Sequence, residues 1–144
     1  MKAFSVLLIA CLTVWACKEA KPETEAAKGV PRAGQLTVMQ GYPEDLQGCS
    51  CAFSRNREEY DQQQFIYLEK YGMADSTKNF KVISLDGVPV RWYSREAPAG
   101  FDLEIQYDSE RRTDLELREI RGRLILRFSS GDKAVSPIFG YCGC

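Results

Sequence analysis

The sequence of 144 residues contains no histidine. Catalytic triads of the Ser-His-Asp or Cys-His type and zinc sites with imidazole ligands are therefore excluded, because each needs a base or a ligand that this chain lacks. Neither sign of charge dominates, since 19 Lys+Arg residues stand against 20 Asp+Glu, a net charge of −1. This balance gives no long-range attraction to nucleic acid, and no basic run supplies a local one. We therefore expect no nucleic-acid partner.

The sequence also lacks an apolar run of about 20 residues, the length that a helix needs to span a bilayer. Its N-terminal apolar stretch, residues 3–16, follows Lys2 and has the length of the hydrophobic region of a signal peptide. The stretch ends on a small residue, Ala16, which is followed by Cys17. The pattern predicts a signal peptide over residues 1–16 and therefore an exported protein.

Residues 12–17, LTVWAC, resemble the lipobox of bacterial lipoproteins. The resemblance implies cleavage before Cys17, a lipid on that residue and anchoring of the chain to a membrane. Lys18 follows where Asp would indicate retention, so the resemblance further implies an outer-membrane lipoprotein of the bacterial cell envelope. Two alternatives stay open. One is an ordinary secretory signal in which Cys17 has no role, and the other is Cys11 as the lipidated residue, which would leave a shorter apolar stretch.

The next segment has a different composition. Residues 18–34 are rich in Ala, Glu, Lys and Pro and have no apolar period, which is typical of a chain that cannot offset its ordering entropy by burial. We predict a lipid anchor and flexible tether over residues 17–34, with a first helix at residues 19–28 as the alternative. The domain then spans residues 35–144, where acidic residues outnumber basic ones, so its net charge favours no anionic membrane.

Apolar residues recur with a period of two along most of this domain, and turn residues separate the runs. The pattern predicts an all-β fold, a single small antiparallel barrel or sandwich of about seven to eight strands. Beside the two hairpins described below, strands are expected at residues 35–40, 49–53, 64–70, 101–108 and around 138–142, with a turn or two of helix or an exposed loop at residues 55–64.

Two hairpins are expected. In residues 79–93, Asp86-Gly87 forms a two-residue turn of the type that needs positive φ, which places Leu85 opposite Val88 and Ile83 opposite Val90. Pro89 has no N–H to donate, so the second strand lies at a sheet edge or a bulge.

The second predicted hairpin, residues 114–129, turns at Arg121-Gly122. Its register makes three cross-strand pairs, Leu117–Leu126, Leu115–Phe128 and Glu116–Arg127, which join apolar with apolar and acidic with basic residues.

Four cysteines lie in the domain as two C-x-C pairs, Cys49 with Cys51 and Cys142 with Cys144. Residues i and i+2 share one face of a strand, so each pair can present two sulfurs to the other. In an oxidising compartment we expect disulfides, with three possible connectivities. Bridges between the pairs are favoured because they close a loop of roughly 90 residues, which stabilises the fold by about 4–5 kcal/mol. If the two segments pair antiparallel, the bridges are Cys49–Cys144 and Cys51–Cys142.

Two chemical alternatives use the same cysteines. Four thiolates match the preferences of Zn²⁺ or Cu(I), with Met39 and Met73 as possible thioether ligands, although zinc knuckles usually have C-x₂-C spacing. A thiol oxidoreductase is the other alternative, but the sequence lacks the C-x-x-C motif that lowers a thiol pKa.

Two further groups of residues are weaker candidates for binding. Arginines concentrate around the second hairpin, where acidic residues interleave with them, and could bind an anion or an acidic partner: Arg111, Arg112, Arg118, Arg121, Arg123 and Arg127. The aromatic residues could line a binding surface, but we predict that they belong to the core: Tyr60, Phe65, Tyr67, Tyr71, Trp92 and Tyr93.

Residues 48–54 (GCSCAFS) and 140–144 (GYCGC) resemble a group of small, uncharacterised exported bacterial proteins. This resemblance covers most of the domain and implies no activity. A lipid anchor on a small antiparallel barrel closed by a terminal cysteine is also similar in plan to the membrane-bound inhibitors of C-type lysozyme, without a residue-level match.

We therefore predict a lipid-anchored envelope protein whose disulfide-braced β domain is a binding or structural module, not an enzyme, and which needs no cofactor. Its partners are the membrane, through the lipid on Cys17, and a protein or small ligand. A thiolate metal-binding protein and a lysozyme inhibitor are the alternatives.

Overall fold

The computed structural model of the chain describes residues 33–144. The predicted signal peptide, Cys17 and the tether up to residue 32 lie outside the described residues. Across residues 33–144, no helix combines the length and the apolar character needed to cross a membrane.

The described residues form mainly β-strands. The strands are β1 (Met39–Gln40), β2 (Ser50–Ser54), β3 (Gln64–Phe65), β4 (Tyr67–Lys70), β5 (Phe80–Leu85), β6 (Val88–Tyr93), β7 (Phe101–Arg112), β8 (Leu117–Phe128) and β9 (Lys133–Gly143). One short helix, α1 (Arg57–Asp61), begins after Asn56, whose side chain accepts a hydrogen bond from the Glu59 N–H. This helix confirms the helical turn expected within residues 55–64.

Seven strands form one antiparallel sheet in the order β6-β5-β4-β2-β9-β8-β7, and β1 pairs with β3 in a second, two-stranded sheet. The large sheet is not closed by hydrogen bonds, but it coils until its two edges approach. Trp92 of edge strand β6 packs edge-on against Phe101 of edge strand β7, with ring centroids 5.5 Å apart. The predicted all-β antiparallel fold is confirmed: the seven-stranded sheet is an open barrel or sandwich, with a further two-stranded sheet beside it.

The inner face of the coiled sheet holds the main core. Its apolar side chains come from all seven strands and alternate with outward-facing residues, as the period of two requires. The buried members are Cys51, Phe53, Ile66, Tyr67, Ile83, Leu85, Trp92, Phe101, Ile120, Leu124, Leu126, Phe128, Ile138 and Cys142.

The first predicted hairpin is confirmed in register and turn. Asp86 and Gly87 have φ values of 51° and 82°, and Leu85 pairs with Val88. Strand β6 is an edge of the sheet, so Pro89 lies where its missing N–H is tolerated. The strand expected at residues 35–40 is shorter in the structure, because only Met39–Gln40 is a strand.

The second predicted hairpin was wrong. Strand β8 runs unbroken through Arg121-Gly122, and the chain turns instead between β7 and β8, where the Thr113 N–H donates to the Leu117 carbonyl. Gly122 lies opposite a register shift in β7, and a Cβ on it would stand 1.9 Å from the Gln106 carbonyl oxygen. This glycine therefore permits close approach at a bulge and does not make a turn.

Because the predicted turn is wrong, the predicted cross-strand pairs of this hairpin are wrong as well. Strand β8 pairs with both β7 and β9, so the residues assigned to one hairpin have other partners. Leu126 lies opposite Leu103, Phe128 opposite Phe101, Arg127 opposite Asp102 and Leu117 opposite Gly143, while Leu115 and Glu116 lie in the turn.

Candidate functional site

Two disulfides join the start of β2 to the end of β9, one within the strands and one just beyond them, as the antiparallel pairing of these strands predicts. Cys51 lies directly opposite Cys142, and their bridge has an S–S distance of 2.02 Å. One step further out, Cys49 is bonded to Cys144 at 2.05 Å. The bridged residues are 91 and 95 positions apart in the chain. The expected connectivity between the two C-x-C pairs is confirmed.

The two bridges differ in burial. Cys51 and Cys142 are 5% and 2% exposed and belong to the inner core, whereas Cys144 is exposed. All four sulfurs are engaged in these bonds, so a thiolate metal site would require a reduced form of the protein and stays a prediction. Of its two thioether candidates, Met39 packs on the outside of the sheet, and the Met73 sulfur lies near Gly48.

The outer face of β2, β4 and β5, which we call the covered face, is buried and mainly apolar. Its cluster packs beneath Met39 and the ring of Tyr60. The buried members are Leu46, Ala52, Phe65, Leu68, Phe80 and Val82.

The outer face of β7, β8 and β9 has a different composition. Every second residue of β8 faces outward here, and the pairing register places residues of β7 and β9 beside them. We call this surface the basic face, and its cationic members are Arg57 from α1, Arg111, Arg121, Arg123, Arg127 and Lys133. Three carboxylates, Glu119, Glu104 and Asp102, lie among these six cations.

Glu119 is the centre of the basic face. Its carboxylate is only 7% exposed and accepts hydrogen bonds from Arg57 Nη2 at 3.2 Å and from Arg111 Nη2 at 3.3 Å. Arg121 Nε donates to the other oxygen at 3.3 Å, and the Tyr141 hydroxyl donates at 3.2 Å. Burial opposes ionisation of Glu119, but the hydrogen bond from Arg121 and the charge of Arg111 outweigh it and hold its pKa below the ordinary value.

An aromatic ring fixes two of these arginines. The guanidinium carbons of Arg57 and Arg121 lie 4.7 and 4.9 Å from the centroid of the Phe139 ring, within the range of cation–π attraction. Phe139 itself makes edge-on contacts with Tyr60 at 5.8 Å and Tyr141 at 5.6 Å. These two guanidinium groups are therefore positioned by the buried ring of Phe139, which is itself held by the partly buried Tyr60 and Tyr141.

The charges of the basic face are only partly neutralised. The single carboxylate of Glu119 faces three arginines, each of which contributes one nitrogen and has further donors in contact with solvent. Arg123 donates to a neutral partner, Gln106 Oε1, at 2.9 Å. Arg127 has a partner of opposite charge, since its Nη1 lies 2.6 Å from Glu104.

The structure divides the arginines that the sequence grouped together. Arg111, Arg121, Arg123 and Arg127 lie on the basic face, whereas the register puts Arg112 and Arg118 on the opposite side of the sheet. Arg118 pairs there with Glu110 at 2.6 Å. Sequence reasoning missed Arg57, because it is 62 positions before Glu119 and only the packing of α1 on β9 brings them together.

The aromatic candidates belong mainly to the core, as predicted. Phe65, Tyr67 and Trp92 are buried, whereas Tyr93 is 48% exposed. The Tyr67 hydroxyl donates to Glu69 at 2.7 Å, and burial together with this nearby carboxylate raises the pKa of the phenol well above its ordinary value.

Comparison of the chain with protein-family models, with curated proteins and with solved structures finds no match. The resemblances to lipoproteins, to small exported proteins and to lysozyme inhibitors therefore stay predictions.

Proposed function

We propose that this chain is a lipid-anchored binding module of the bacterial envelope, in which a disulfide-braced β domain presents the basic face to a partner and carries out no catalysis. The observation that carries the proposal is the pair of disulfides between β2 and β9. Such bridges persist in oxidising compartments and are rare in the cytosol, which supports export and agrees with the signal pattern of residues 1–16.

The basic face supports a role in binding. Arginine is well suited to recognising carboxylates and phosphates, because its planar guanidinium offers several donors in a fixed geometry. Here Arg57 and Arg121 are held by Glu119 and by Phe139 before any partner arrives. Arranging donors in advance lowers the entropic cost of binding.

The anchor is tested by replacing each candidate cysteine in the full-length chain. We expect Cys17→Ser to abolish incorporation of labelled fatty acid and to release the protein from the membrane fraction. The matched control, Cys11→Ser, keeps both the label and the membrane association. Retention of the label by the Cys17 variant would overturn the anchor at this residue.

The state of the other four cysteines is tested on the exported protein, alkylated without reductant and analysed by intact mass. We expect no reaction at Cys49, Cys51, Cys142 or Cys144. Thiols that become reactive only after a chelator is added would instead establish the metal-binding alternative.

A further inference from the structure

We infer that the basic face docks flat on an anionic membrane surface, with its arginines among the phosphates of the lipid headgroups. This inference rests on the proposed lipid anchor for its biological setting, but the surface itself is defined by the described residues.

The first argument is the segregation of charge. Acidic residues outnumber basic ones over residues 33–144, yet on this one face six cations surround three carboxylates. A net acidic domain with a basic surface has a strong preferred orientation near a negatively charged plane, because the rest of its surface is repelled. The net charge of the domain, which alone favours no anionic membrane, therefore conceals a local attraction.

The second argument is the shape and composition of the face. It extends over three neighbouring strands of a sheet, so it presents its cations over a broad surface that suits an extended plane. Two exposed apolar side chains lie on the same side as the arginines, Val135 at 51% and Leu117 at 40% exposure. Apolar groups beside basic ones match the boundary between headgroups and acyl chains.

The third argument is where the described chain begins. Gly34, Gln35 and Leu36 line a shallow cleft together with residues 133–137 of β9, which carry Lys133 and Val135. The described chain therefore begins at a cleft whose other wall carries Lys133 and Val135 of the basic face. A lipid on Cys17 would hold this face close to the bilayer and raise its effective concentration there.

The covered face would then point away from the membrane. In the strand order, β4 and β5 are separated from β7 and β8 by β2 and β9, so the two outer faces lie on different sides of the coiled sheet. A groove of about 490 Å³ runs along this half between residues 38–43 and the side chains of Leu68, Pro89 and Arg91. Docking would leave that groove open to the surrounding compartment.

The test uses the lipid-free chain of residues 18–144, which contains every described strand and both disulfides. Binding is measured by co-sedimentation with vesicles of phosphatidylcholine alone or of an equimolar mixture with phosphatidylglycerol. We expect binding to the mixed vesicles only, and its loss when salt rises from about 0.05 to about 0.5 M, where screening is short-ranged.

The decisive variant is Arg123→Glu with Lys133→Glu, which reverses two exposed charges outside the Glu119 cluster. Each basic charge near an anionic surface contributes about fivefold in affinity, so we expect a loss of more than about tenfold. The matched control, Lys78→Glu with Arg95→Glu, changes the net charge equally but lies off the basic face, and we expect its binding to stay within about threefold of the parent chain. Circular dichroism verifies that both variants are folded.

Three results would overturn the inference: no binding of the parent chain to the mixed vesicles, an equal loss in the control variant, or binding that survives high salt. Saturable binding to an acidic protein without any binding to vesicles would also overturn it and would assign the basic face to a protein partner. Because the chain tested has no lipid, failure of this experiment is separate from failure of the anchor at Cys17.

Discussion

On β4 and β5 the outward side chains are buried and mainly apolar, with Lys70 and Ser84 as polar exceptions, whereas on β7 and β8 they are mainly charged and open to solvent. The inner faces of both halves are apolar and share one core. The alternation of residues therefore fixes which side chains point inward, but it does not decide whether the outward ones are buried. That depends on the segments that cross over the sheet: these cover β2, β4 and β5, and α1 extends over Phe139 and Tyr141 of β9, while most outward side chains of β7 and β8 stay exposed.

We expect the largest loss of stability from changes to the disulfides, which lie between the two halves of the sheet. Replacing all four bridged cysteines by alanine removes both covalent links between the segments of β2 and β9, and we expect a loss of about 4–5 kcal/mol in the free energy of unfolding. Removing only Cys49 and Cys144 should cost much less, because the remaining bridge still closes a loop of nearly the same length. Denaturant unfolding followed by Trp92 fluorescence measures both. Equal losses in the two variants would contradict a cost that arises from loop closure.

The covered and basic faces should respond differently to truncation. Phe65→Ala on the covered face removes a side chain with 0% exposure, and we expect a loss of about 3–5 kcal/mol. Arg123→Ala on the basic face removes an exposed side chain and should change stability by less than about 0.5 kcal/mol. Thermal and denaturant unfolding check both values, and a large loss at Arg123 would show that the basic face is a structural element.

Gly122 and Gly87 are glycines for different reasons, the first because of close packing and the second because of its turn conformation. In Gly122→Ala the new Cβ would meet the Gln106 carbonyl oxygen at 1.9 Å, so the bulge must shift, at a cost of about 1–3 kcal/mol. In Gly87→Ala nothing lies within 4 Å of the new Cβ, and only the φ of 82° disfavours the alanine. We therefore expect a loss of about 1 kcal/mol in the free energy of unfolding. Equilibrium unfolding of the two variants measures the difference, and a smaller loss at Gly122 would contradict the close approach.

The smallest expected effect is a loss of stability at acidic pH that arises from the basic face. The folded-state pKa of Glu119 lies below its ordinary value of 4.5, so its ionised form stabilises the fold fully above about pH 4.5. That contribution is lost as the pH falls through the lowered pKa and Glu119 becomes protonated. We expect α1 to loosen from Phe139 in this range, which near-ultraviolet circular dichroism of Tyr60 and Tyr141 can follow. Glu119→Gln keeps the shape without the charge and should lack this transition, so coincident acid titrations of the two proteins would refute the assignment.

Sequence reasoning succeeded where the information is local. Asp86-Gly87 determines its own turn, because the positive φ that it adopts favours these residue types. Arg121-Gly122 offers a similar signal, but its glycine makes room for the Gln106 carbonyl of another strand, which no local pattern reveals. The disulfide connectivity was predictable once the two cysteine segments were assumed to pair antiparallel.

The candidate binding surface was only partly predictable. The concentration of arginines along β7 and β8 is visible in the sequence, but their division between two sides of the sheet depends on the register, which the predicted hairpin had wrong. The contact of Arg57 with Glu119 depends on how α1 packs on β9. Residue type alone does not specify such a partner, because any exposed arginine could have formed the same ion pair.

The position of β9 between β2 and β8 also sets the order in which the molecule can be completed. A chain that emerges from its N-terminal end, from a ribosome or from a narrow pore, presents β2 long before β9 exists to pair with it. Until residues 133–143 are available, β2 has only β4 as a neighbour in the large sheet. The inner core is then incomplete, because the side chains from β9 are missing. Such dependence on distant partners slows folding. It also keeps the emerging polypeptide unfolded, and so able to pass through a narrow pore, until β9 has been synthesised.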